Sequence, residues 1–178
     1  EAGHWLQQGA RGVLEAVTGV PHDAANRGVD GCSIPTYAVP LRSLARGFAR
    51  MVTGDRLGPV RAAAAKRLLD ACMAEPFYMS GTGRMDVSLI SAAPGRIFVK
   101  TGAEGVYCGA VPELGLGIAL KCDDGAGRAA ETAIAAVLAR LLAADEDLSD
   151  RLRKLARPVL TNWNGIEVGA LRPAAALA

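Results

Sequence analysis

Arg96-Ile97-Phe98-Val99-Lys100-Thr101-Gly102-Ala103-Glu104-Gly105-Val106-Tyr107-Cys108-Gly109-Ala110-Val111 is the stretch on which the reading of this chain turns. Ile97, Phe98 and Val99 form a short β-branched and aromatic run, the composition of a strand. Gly105 to Val111 reads as a second strand and Gly117-Ile118-Ala119-Leu120-Lys121 as a third. Pro112-Glu113-Leu114-Gly115 and Asp123-Asp124-Gly125 supply the turns. Lys100 therefore stands at the end of a strand, followed by a small hydroxyl residue and a glycine. The glycine leaves room for a ligand to lie against the strand backbone. The lysine brings a positive charge to that place.

Outward from this meander the chain is mostly helical. Leu6, Ala10, Val13, Leu14 and Val17 repeat at helical spacing over residues 5–19, and Gly19 is a helix stop. Residues 21–31 are polar and punctuated by glycine, so they read as a loop. Residues 32–40 are extended, because Pro35 and Pro40 disfavour helix before them. Leu41, Leu44, Ala45, Phe48 and Val52 predict a helix over 41–53. Pro59 opens another, reaching about Met73. Met79-Ser80-Gly81-Thr82-Gly83 reads as a flexible glycine loop, and 86–92 as a short helix. After the strands, an apolar stripe from Ala130 to Leu142 predicts a long helix over 127–143. A shorter helix over 148–156 and a last edge strand over 166–169 complete the pattern. Helices first, then an antiparallel meander, then helix again imply an α+β fold, an antiparallel sheet packed by helices. The expected division is a mainly helical portion, residues 1–95, and a sheet portion, residues 96–178, which carries the Lys-Thr-Gly strand and the C-terminal helices.

Composition narrows the function. The 178 residues suit one domain. No apolar run approaches the roughly 18 residues needed to span a bilayer. The net charge of +2 is spread along the chain, which argues against a nucleic-acid or membrane-surface partner. Sixteen arginines stand against four lysines, a bias of GC-rich bacterial coding. Lys66 and Lys154 lie in charged helical patterns and read as solvated. Cys32, Cys72, Cys108 and Cys122 form no Cys-x-x-Cys pair and no disulfide framework, so a reduced, cytoplasmic compartment is expected. Neither a phosphate loop nor a dinucleotide fingerprint is present. His4 and His22 form no dyad with a serine and read as surface residues.

Four segments together resemble the rhizobial-type L-asparaginase II family: Gly28-Val29-Asp30-Gly31-Cys32-Ser33-Ile34-Pro35, Pro40-Leu41-Arg42-Ser43-Leu44-Ala45, Lys100-Thr101-Gly102-Ala103-Glu104-Gly105-Val106-Tyr107-Cys108, and Leu114-Gly115-Leu116-Gly117-Ile118-Ala119-Leu120-Lys121-Cys122-Asp123-Asp124-Gly125. The resemblance implies a serine β-lactamase-like fold, in which Lys-Thr-Gly on a strand is one signature element. It implies hydrolysis of L-asparagine to L-aspartate and ammonia by a serine/lysine mechanism. On this resemblance Lys100 is catalytic, pairing with a second serine, and Thr101 and Gly102 bind substrate. Cys32 is a ligand of a metal, usually zinc, with Asp30 beside it. The remaining ligands come from an earlier Cys-x-x-Lys. Family members commonly pair as homodimers.

The sequence departs from the family pattern in one respect. No serine is followed at the third position by lysine, and there is no Cys-x-x-Lys. The chain is therefore expected to be the C-terminal half, a partial domain whose partner is the missing N-terminal half, and to be inactive alone. Two alternatives remain at this stage. One is a glutaminase-like or penicillin-recognising serine hydrolase. The other is a non-catalytic fragment or paralogue.

Overall fold

The computed structural model describes residues 1–177. Its elements in chain order are α1 (Trp5–Thr18), β1 (Arg27–Val29), β2 (Pro35–Tyr37), α2 (Leu41–Thr53), α3 (Pro59–Ala74), α4 (Pro76–Ser80), α5 (Met85–Ala92), β3 (Phe98–Thr101), β4 (Val106–Val111), β5 (Leu116–Lys121), α6 (Gly127–Leu141), α7 (Glu146–Leu155), β6 (Val159–Thr161) and β7 (Glu167–Ala170). The fold is α+β, as the segregation of helices and strands predicts. The chain forms two compact units. One comprises residues 1–70 and 108–119, the other residues 71–107 and 120–178.

In the first unit α1 packs on α2. Gly47 lies at the crossing, where a Cβ would make an ordinary contact with the Thr18 methyl at 3.6 Å. The C-terminus of α1 is finished twice. Gly19 adopts φ +73° and returns its N–H to Glu15, and Arg50 donates to the carbonyls of Ala16 and Val17 at 3.0 and 3.1 Å. β1 and β2 form an antiparallel pair, Arg27 opposite Tyr37 and Val29 opposite Pro35. Residues 21–31, read from sequence as loop, thus contain a strand. It is preceded by a helical turn that Asp23 and Asn26 close reciprocally. His22 is 2 % exposed rather than on the surface, its Nδ1 3.0 Å from the Val20 carbonyl and its ring edge-on to Tyr37.

In the second unit Leu89 and Ile90 of α5, Ile134 and Leu138 of α6, and Leu148 and Leu152 of α7 are fully buried. α7 lies against both α6 and α5, and α5 also against β3. The alanines of α6 let α7 come near, and the Ser149 hydroxyl donates to the Ala139 carbonyl at 2.9 Å. Asp145 caps α7 at the Leu148 amide and meets Arg96 at 2.6 Å. Its hydrogen bond from Arg96 and then that cap hold its carboxyl below the usual carboxylate range.

Two further expectations are corrected. Met79 and Ser80, read as the start of the glycine loop, end a helix over residues 76–80: Pro76 occupies its first turn, and Gly81 returns its N–H to Phe77 at 2.7 Å. Glu167–Ala170 is not an edge of the main sheet. It pairs with Val159–Thr161 as a separate hairpin. The signal was Asn164-Gly165 between two short apolar runs. Gly165 has φ +75°, and Asn162 Oδ1 accepts from the amides of Asn164 and Ile166.

β3, β4 and β5 follow one another as a three-stranded sheet. Gly117 of β5 lies against α2 so closely that an added Cβ would fall onto the Ala45 carbonyl oxygen. Neither backbone can retreat without losing its own hydrogen bonds. Gly117→Ala is expected to destabilise the protein by about 2 kcal/mol, the cost of overpacking a rigid site, measured as a lower urea midpoint.

Candidate active site

The site is built by the packing of α5 against β3. Asp86 stands in the first turn of α5, where a carboxyl group complements the helix dipole. Its side chain is completely buried. A carboxyl group at that depth requires partners, since burying it bare would cost several kcal/mol. Each neighbouring element supplies one.

α4 supplies Ser80. Gly81 and Gly83, at φ +86° and +70°, turn the chain back so that Ser80 Oγ donates to Asp86 Oδ2 at 2.6 Å. The glycine pair read as a flexible loop is therefore a device that returns a hydroxyl to the carboxyl group. β3 supplies the Thr101 amide, which donates to Asp86 Oδ1 at 3.2 Å. β4 supplies Tyr107, fully buried, whose hydroxyl also donates to Oδ1. The phenol is pushed far above its ordinary range, first by burial, then by the hydrogen bond to Asp86 and by the charges of Asp86 and Glu131, with Arg84 opposing. The shift favours the protonated phenol, the form that donates to Asp86.

Lys100 completes the cluster. Its Nζ lies 3.9 Å from Asp86 Oδ2 and donates to its neighbour's carbonyl, that of Thr101, at 2.8 Å. The side chain is 41 % exposed, so the ammonium group has the carboxyl group on one side and open space on the other. That arrangement suits a cation offered to a ligand.

The turn after β3 explains the rest of the motif. Gly102 donates to the Val106 carbonyl at 2.8 Å, which closes the loop over Ala103-Glu104-Gly105. Glu104 and Gly105 have φ of +56° and +69°. A Cβ on Gly105 would stand 2.9 Å from the Gly125 carbonyl carbon and 3.0 Å from Cys122 Cβ. The Gly105 carbonyl also accepts from the Cys122 amide at 3.0 Å. Gly105 is therefore fixed by close approach of the 122–125 turn as well as by its conformation. The Thr101 hydroxyl is turned toward the Gly102 carbonyl at 3.4 Å.

Asp30 and Cys32 belong to the other unit, on the loop joining β1 to β2. Asp30 Oδ1 accepts from the Cys32 amide at 2.9 Å and the Ile34 amide at 3.2 Å, an Asx turn that leaves Ser33 at φ +63°. Cys32 is a free, exposed thiol. A thiol and a carboxyl group two residues apart are a zinc-type donor pair. Among the described residues no third histidine, cysteine, aspartate or glutamate joins them. They fit as part of a ligand set rather than the whole. Cys108 is buried, and burial pushes its thiol up to about 11, so it behaves as a packing residue.

Sequence reasoning singled out Lys100 and Thr101 and passed over Asp86, Ser80 and Tyr107, which the structure brings together with them. One signal was available: Asp86 is the one charged residue in a helix that also carries Met85, Val87, Leu89 and Ile90. An acid on an apolar helix is either out of place or held by partners.

A family model for L-asparaginase II matches residues 1–173, and the chain belongs to that family, a family of asparaginase-type amidohydrolases. No curated protein matches it. No helix among the described residues is long and apolar enough to cross a membrane.

Proposed function

We propose that this chain is the lysine-bearing, C-terminal part of a β-lactamase-like enzyme that hydrolyses L-asparagine to L-aspartate and ammonia. The observation that carries the proposal is the position of Lys100, at a strand end in a chain matched to the family almost throughout. The Ser-x-x-Lys of the resemblance is absent from residues 1–178, so the nucleophile is assigned to an upstream segment of the same polypeptide.

In the intact enzyme that serine attacks the side-chain amide carbon of asparagine. Its proton passes through a lysine to the departing nitrogen, and ammonia leaves. Water then cleaves the ester, releasing aspartate and restoring the serine. Lys100 acts on a second serine and places positive charge beside the forming oxyanion. Thr101 contributes its hydroxyl, and Gly102 an unobstructed strand backbone, to substrate. Asp30 and Cys32 would hold zinc together with ligands from the same upstream segment. When bound, zinc would polarise the substrate or shape the pocket. A cytoplasmic homodimer completes the reading.

Two outcomes test this. In the protein as its complete open reading frame encodes it, Lys100→Ala lowers ammonia release from asparagine by about 100-fold or more, as removal of a charge that stabilises an oxyanion does. Unchanged turnover removes Lys100 from the mechanism, and the same assay with glutamine fixes the preferred amide. Cys32→Ser lowers bound zinc after dialysis, read by elemental analysis. Equal zinc in both proteins removes Cys32 as a ligand.

A further inference from the structure

We infer that Asp86 is a positioning residue for Lys100: its buried carboxyl group, fixed by Ser80, Thr101 and Tyr107, anchors the lysine ammonium as a stationary positive charge at the edge of the substrate site. This rests on the asparaginase reading above and deepens it.

The argument begins with the count of partners. Asp86 Oδ1 accepts two hydrogen bonds, from the Thr101 amide and the Tyr107 hydroxyl. Oδ2 accepts one, from Ser80 Oγ at 2.6 Å. Oδ1 is filled. Oδ2 keeps a lone pair, and Lys100 Nζ is the cation that faces it, at 3.9 Å. Three neutral donors already satisfy a buried carboxyl group structurally. The lysine is therefore surplus to the fold and gains more from the pair than it gives. A four-carbon side chain at a strand end has many rotamers, and holding it still costs conformational entropy. One hydrogen bond to a neighbouring carbonyl is a weak restraint on such a chain. A fixed opposite charge, in surroundings that exclude water on one side, is a strong one.

The geometry also divides the two groups by role. Asp86 is wholly buried and touches no space that a substrate enters. Lys100 is half open. The carboxyl group can reach the reaction only through the residues it holds, the Thr101 backbone and, as the one cation among them, Lys100.

Other partners set the same conclusion apart from simple helix capping. Ser80 arrives from α4, Tyr107 from β4 and Thr101 from β3, the residue that follows Lys100 itself. One carboxyl group thus fixes both the backbone on one side of Lys100 and the head of its side chain. Arg84, two residues before Asp86, adds a second positive charge to the surroundings of Tyr107. Glu131 of α6 adds a negative one.

The test is a double-mutant cycle on the complete enzyme, with asparagine as substrate. Asp86→Asn keeps the shape and the acceptor for Thr101 and Tyr107 but removes the charge. It is expected to lower kcat at least about tenfold, with KM changed less than about threefold. In a Lys100→Ala background the same substitution is expected to change kcat by less than about twofold, because its effect travels through a side chain no longer there. Equal losses in both backgrounds would assign Asp86 a structural role only and overturn the inference, while a low kcat for Lys100→Ala would leave the asparaginase reading standing. If instead Lys100→Ala is fully active, the underlying reading fails, and the inference with it.

A measurement independent of turnover accompanies the cycle. Lysine labelled with 13C at Cε gives one signal per lysine of the complete enzyme; four belong to this chain, Lys66, Lys100, Lys121 and Lys154, each assigned by its Lys→Arg variant. Asp86→Asn is expected to move the Lys100 signal and leave the other three in place. A Lys100 signal that stays put overturns the inference whatever the kinetics show. Should Asp86→Asn fail to fold, Ser80→Ala serves in both experiments. It strips the donor from the same Oδ2 that faces Lys100, and it is expected to move the same signal and to lose kcat only where Lys100 is present.

Discussion

Three hydrogen-bond donors from three elements converge on one carboxyl group, that of Asp86, and the second unit is arranged around that convergence. Ser80 Oγ, the Thr101 amide and the Tyr107 hydroxyl each give up water to reach it. The trade is favourable only if all three arrive together, because a buried polar group left without a partner costs about 1–3 kcal/mol. The constraint is therefore cooperative. It dictates the Gly81 and Gly83 turn, the register of β3 and β4, and the burial of Tyr107. It also leaves Lys100 beside a carboxyl group with one lone pair to spare, on Oδ2.

Much of the fold was legible in the sequence because its signals are local. Gly19 and Gly54 end α1 and α2 as their positive φ requires, and the apolar stripe of α6 lies in the core as its spacing predicts. What escaped was of two kinds. Some elements were too short for periodicity to show: α4 has five residues, and β1 and β6 have three each. These depend on caps and turns, the Asp23–Asn26 pair for the helical turn before β1 and Asn164-Gly165 for the β6–β7 hairpin, rather than on an amphipathic pattern. The rest depended on pairings far apart in sequence. Lys100 and Thr101 stood out because their motif is contiguous. Asp86 and Tyr107, 21 residues apart, become a site only when α5 packs on the sheet. His22 reads as a polar loop residue until Tyr37 covers it, for the same reason.

The chemistry is divided between the two units. One carries a free thiol and a carboxyl group on an Asx turn, donors with the character of a metal site. The other carries a cation held by a buried carboxyl group. The L-asparaginase II family model matches residues of both units, and the motif glycines are explained by close approach rather than by flexibility. Gly105 admits the 122–125 turn, and Gly117 admits α2. The glycines keep backbones near one another, and the charged groups are placed on what results.

The most direct measurement is a crystal structure of the complete enzyme with L-aspartate bound. The account predicts Lys100 Nζ between Asp86 Oδ2 and the product, within about 4 Å of each, the reach of an ion pair. A Lys100 side chain turned into solvent, with Asp86 satisfied by Ser80, Thr101 and Tyr107 alone and aspartate bound elsewhere, would contradict it.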